Sequence, residues 1–144
     1  MIRPLLLFPV ILLSFLSGCE AIQFLEPDPH PAIEHPPAVG TLNEHQSQLV
    51  TEGRKAMAAG EYQEALTLFH DVLAANPTAT PAYIGIGDVH IAVNDYASAE
   101  PAYSRAATLE PGNFDAQFGH GLALQMLDRF VEAIRAYHRA LVVR

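Results

Sequence analysis

Gly53, Gly87 and Gly121 stand 34 residues apart, and Ala65, Ala99 and Ala133 keep the same step. So do two aromatic series, Tyr62, Tyr96, Phe130 and Phe69, Tyr103, Tyr137, and the pair Pro77 and Pro111. A fixed period of this length describes supersecondary units that cannot bury their apolar faces alone and do so by stacking on one another. In each unit a first helix ends at a turn: Ala59-Gly60-Glu61, Val93-Asn94-Asp95 or Leu127-Asp128-Arg129. Gly60 and Asn94 tolerate the left-handed conformation that such a helix stop prefers. A second helix then carries an aromatic residue, an alanine three further on and another aromatic four beyond that, all on one face. Pro77 and Pro111 end the second helices.

These residues resemble the tetratricopeptide repeat (TPR), a helix–turn–helix unit. The resemblance covers residues 46–144 and divides them into 46–79, 80–113 and 114–144. It implies an all-α, TPR-type α-solenoid of three repeats. It also implies a concave groove lined by the first helices, in which a partner protein or peptide is held. Carried over position by position, that groove is formed by Val50, Arg54 and Met57, then Ile84, Asp88 and Ile91, then Phe118, Leu122 and Gln125. The set is largely apolar and fits a hydrophobic segment better than a charged tail. The lysine and asparagine set with which some relatives clamp a carboxylate terminus is absent.

The chain departs from the repeat pattern in three places. The fourth position of the first helix, usually a large aromatic, holds Leu49, Tyr83 and Gln117. Pro101 falls inside the second helix of the middle unit, where it is expected to remove a hydrogen bond and kink or loosen that helix, unless the helix starts after it. The third unit reaches Arg144 with no further polar helix, which leaves a face for a partner, for a second copy or for a longer form of the chain.

The amino terminus has a different character. Arg3 precedes an apolar run from Pro4 to Leu16 that is too short to span a bilayer and is interrupted by Pro9. Leu16-Ser17-Gly18-Cys19 resembles the lipobox of bacterial lipoproteins, which implies a signal peptide over residues 1–18 and a diacylated Cys19 as the mature terminus. Two or three acyl chains anchor a domain stably where one would not. Glu20, rather than Asp, implies transfer to the outer membrane by resemblance to enterobacterial lipoproteins. Residues 19–45 contain Pro27, Pro29, Pro31, Pro36 and Pro37 and read as an extended tether. His30, His35 and His45 lie in or beside it, near Asp28 and Glu34. They read as solvated linker residues, because a metal site needs rigid geometry.

Composition excludes several functions. The chain carries 8 basic and 16 acidic residues, and one lysine, which argues against binding a phosphate backbone. A single cysteine permits no internal disulfide and no Cys-based zinc site. Gly85-Ile86-Gly87 lies on a repeat helix with no strand before it, so close packing explains it better than a nucleotide loop. His90 and His120 fall where neighbouring helices meet and are expected to be hydrogen-bonded packing residues; His70 and His138 share one outward position. Arg129, Arg135, Arg139 and Arg144 give an acidic chain a basic end, read as solvation near a helix terminus.

No catalytic residue, metal or cofactor is expected. The function read from the sequence is a lipid-anchored, periplasm-facing TPR adaptor. Relatives of this plan include pilot lipoproteins of secretin assembly and scaffolds of peptidoglycan enzymes. The alternative is a structural lipoprotein that stacks on copies of itself through its last repeat.

Overall fold

The computed structural model describes residues 41–143. Cys19, the tether histidines His30 and His35, and the signal segment lie outside them. The described residues form six helices: α1 (Glu44–Ala58), α2 (Tyr62–Ala75), α3 (Thr80–Ala92), α4 (Tyr96–Leu109), α5 (Phe114–Met126) and α6 (Phe130–Val143). No strand occurs among them. They pair as three hairpins, α1–α2, α3–α4 and α5–α6, each packed on the next.

Each helix boundary has a local cause. Asn43 caps α1 through a reciprocal pair: its side chain accepts from the Gln46 N–H at 2.8 Å and its own N–H donates to the Gln46 side chain at 3.0 Å. Asp95 and Asn113 accept from the Ser98 and Ala116 N–H groups at the starts of α4 and α5. The three turns within the hairpins hold one left-handed residue each, Gly60 (φ 81°), Asn94 (φ 60°) and Asp128 (φ 59°). Helix α4 runs through Pro101 rather than starting after it. The ring supplies no N–H to the Ala97 carbonyl one turn back, and Pro101 itself is exposed.

Aromatic residues of the second helices form the centre of each stack. Phe69 is fully buried, as are Ala65, Val72, Ala82 and Val89, and Ile86 is nearly so. A Cβ added to Gly53 would meet its ring at 2.8 Å, and one added to Gly85 of the following unit would strike it from the other side. Tyr103 repeats the arrangement, held between Gly87 at 2.7 Å and Gly119 of the third unit. One glycine therefore seats the ring within its own hairpin, and the other seats the next hairpin upon it. The Gly85-Ile86-Gly87 run is packing in both directions.

Gln117, at a usual aromatic position, is buried and donates to the Pro111 carbonyl at 3.3 Å. Tyr83, one period earlier, donates to the equivalent Pro77 carbonyl at 3.3 Å. Gln117 also accepts from the Arg139 guanidinium at 2.9 Å, so the amide is satisfied from two sides. His90 and His120 are largely buried and partnered, to Asp95 at 3.3 Å and Glu100 at 3.1 Å, whereas His70 and His138 are exposed.

Candidate peptide-binding groove

Helix α1 lies against α3, and α3 against α5, more closely than α2, α4 and α6 approach one another. The first helices therefore form one continuous face, and residues at equivalent positions along them line up across it. Arg54 and Gln125 are exposed there, and Met57, Asp88, Ile91 and Leu122 are half-buried. Val50 and Ile84 are only 6% and 8% exposed, so they act as packing beneath the face, whereas Phe118 one period on is 45% exposed. Met57 and Ile91 also rest against the core clusters of their units. The nine positions named from the sequence thus divide into a buried floor and an accessible rim.

Asp88 holds the middle of this face. Tyr103, from the core side, donates its hydroxyl to Asp88 Oδ1 at 2.5 Å. Burial pushes the Asp88 carboxyl above its usual range; the Tyr103 hydrogen bond and the nearby Arg54 charge oppose that rise, and Asp115 adds to it. Burial also raises the Tyr103 hydroxyl, as does its bond to Asp88, and so keeps it a donor. The pair ties the ring that holds two units together to the floor of the groove. Sequence reasoning named Asp88 but not Tyr103 or Asp115, because the Tyr103 hydroxyl reaches the groove only through the thickness of a hairpin.

At the third unit the rim becomes aromatic. Phe114 and Phe118 stack with centroids 5.7 Å apart, and Phe118 meets Tyr137 at 5.5 Å, tilted by 49°. Tyr137 in turn donates to the Gln125 side chain at 2.9 Å. No group of three or more His, Cys, Asp or Glu side chains positioned to hold a metal occurs among the described residues. None of the described helices is long and apolar enough to cross a membrane.

Two family models, each described as Tetratricopeptide repeat, match this chain, one over residues 56–100 and the other over 84–144. Residues 56–144 are tetratricopeptide repeats. The TPR fold is shared with the first TPR of Spaghetti (RPAP3) bound to the HSP90 peptide SRMEEVD. That likeness has a TM-score of 0.68 at 22% identity over 74% of this chain and 84% of the other. The Sgt2 TPR domain from Aspergillus fumigatus gives 0.69 at 22% identity, covering 75% and 72%. The Yersinia enterocolitica type III secretion translocator chaperone SycD gives 0.66 at 18%, covering 71% and 77%. Sperm-associated antigen 1 of Rattus norvegicus is 32% identical over 83 residues, 58% of this chain but 9% of that protein. The likeness to that protein is therefore to one stretch of repeats within a much longer chain.

Proposed function

We propose that this chain is a lipid-anchored adaptor that holds a partner protein at a bacterial cell envelope. Cys19 carries the acyl chains, the proline-rich segment lifts the repeats from the outer membrane, and the α1–α3–α5 face takes a segment of the partner. The observation that carries the binding role is the continuous face of first helices with an accessible rim of Arg54, Met57, Ile91, Leu122 and Gln125. A TPR domain of the same fold has been solved with a peptide bound, which supports the role in kind.

The ligand differs in kind from that peptide. SRMEEVD carries three carboxylate side chains, and here an acidic tail would meet Asp88, beside which Asp115 adds like charge and Arg54 opposes it. Like-charge contacts of this sort exclude wrong partners. The mixed, largely apolar rim suits a hydrophobic segment.

The groove is tested by placing a photo-crosslinking residue at Met57 in the membrane-bound protein. Capture of one dominant envelope protein, lost in Arg54→Glu, is the expected result; capture unchanged by that charge reversal removes this face from the function. The anchor is tested separately by mass spectrometry of the mature amino terminus. Acylated Cys19, with release of the protein into the soluble fraction in Cys19→Ser, is expected. An unmodified Cys19 overturns the anchor and leaves the groove standing.

A further inference from the structure

Asp88 lies well inside α3, away from the helix amino terminus where an acid gains from the helix dipole. It is half-buried, and no cation stands within ion-pair distance of it among the described residues. Tyr103 donates to Oδ1 and holds that edge of the carboxylate. The other oxygen, Oδ2, makes no hydrogen bond among the described residues and is not enclosed. An oxygen that is held, accessible and without a partner is an acceptor prepared for a donor from outside.

The surrounding charges select the donor. Arg54 occupies the position of Asp88 one period earlier, and its charge is felt at Asp88, as is that of Asp115 on the first turn of α5. Across the face the order is therefore one positive side chain on α1 and negative ones on α3 and α5. Met57, Ile91 and Leu122 on the same face are half-buried and apolar, a surface suited to the methylene stem of a long cationic side chain.

We propose, on the reading of the α1–α3–α5 face as the binding groove, that its occupant is an apolar segment of a partner protein with two charges. A lysine or arginine of that segment binds Asp88 Oδ2, and an acidic side chain lies over Arg54. Tyr103 is then a positioning residue. Its ring is seated between Gly87 and Gly119, so the carboxylate it holds is referenced to the junction of the second and third units. The tether of this chain is the wrong occupant: residues 20–43 contain Glu20, Glu26, Asp28 and Glu34 but no lysine or arginine. Such a segment brings like charge to Asp88 and Asp115.

The test pans a display library of random peptides against the full-length chain carrying a photo-crosslinking residue at Met57, and keeps the peptides that crosslink. Enrichment of apolar peptides with one basic and one acidic residue is expected. The best of them is then made with its basic residue and with glutamine in that place, and both affinities are measured by fluorescence anisotropy. The glutamine peptide is expected to bind roughly tenfold more weakly or worse, the usual worth of a hydrogen bond to a charged group. Asp88→Asn is expected to abolish that preference by weakening the basic peptide alone, with helicity by circular dichroism unchanged. Tyr103→Phe keeps the ring between its glycines and is expected to narrow the preference. In Arg54→Glu the acidic position loses its enrichment and the basic position keeps it.

Crosslinked peptides without a basic residue, or a preference that survives Asp88→Asn, overturn the proposal and leave the groove standing. An acidic position still enriched in Arg54→Glu also overturns it. Equal weakening of both peptides by Asp88→Asn would give Asp88 a purely structural role and overturn it as well. No crosslinked peptide at all removes the groove together with its occupant. Dimers in light scattering that dissociate in Asp88→Asn would put a second copy in this seat, against the proposal.

Discussion

Single glycines decide how closely the hairpins of this protein approach. Gly87 has no room for a methyl group, with the Tyr103 ring 2.7 Å from an added Cβ, whereas Gly112 has nothing within 4 Å. Gly87→Ala is therefore expected to destabilise the domain by about 1–3 kcal/mol, the usual cost of overpacking a fitted core. Gly112→Ala is expected to be neutral or to stabilise by a few tenths up to about 1 kcal/mol through the unfolded state. Urea titration of the two variants checks the contrast. Asp88 is the other residue with a clear energetic signature. Its carboxyl is raised in the folded protein, so its contribution favours folding at low pH and is lost as pH rises through the raised value. Asp88→Asn still accepts from Tyr103 without a buried charge. It is expected to melt above the parent at neutral pH, with the difference closing as the pH falls through the raised value of the Asp88 carboxyl. A difference that widens on acidification would show that the ion, rather than its burial, governs this site. A partly buried acid on the groove floor is a residue kept at some cost to stability, which fits a recognition role.

At the scale of helices, stability depends on termini as well as on packing. The Asn43–Gln46 capping box is fully formed at the start of α1. Asn43→Ala is expected to cost about 1 kcal/mol and, by amide exchange, to loosen the first turn of α1 before any other helix. The turn residues were readable from sequence at Gly60 and Asn94, and Asp128 occupies the same conformation at the same position. The Pro101 expectation resolves differently. The period places Tyr96 at the start of α4, and the helix keeps that start through the proline because Ala99, Ala102, Tyr103, Ala106 and Ala107 are buried on its packed side. Tertiary burial outweighs one missing hydrogen bond. Gln117 makes a similar point: a residue that breaks the aromatic pattern preserves the bond to a proline carbonyl that Tyr83 makes one period earlier.

At the scale of the repeats, neighbours are the source of stability, and among the described residues the third hairpin has fewer. Phe69 and Tyr103 are each held from two sides, and Tyr137 from one. Amide exchange is expected to be fastest in α6 and slowest in α3 and α4, since a solenoid opens from its less-supported units. Uniform exchange across the six helices would mean that the three units unfold as one. A peptide in the groove would slow exchange first in α1, α3 and α5.

The 34-residue register by itself determined the all-α repeat architecture, the order of the hairpins and the glycines and aromatics that pack them, because periodic burial is written directly into residue identity. The groove positions came only from the resemblance to tetratricopeptide repeats, as a linear list. Which of them are floor and which are rim depended on how far the next hairpin covers each one, so Val50 and Ile84 sank and Phe118 did not. The Tyr103–Asp88 bond and the aromatic corner at Phe114, Phe118 and Tyr137 belong to the tertiary structure alone. Each joins residues from different helices, at distances that spacing along the chain does not fix.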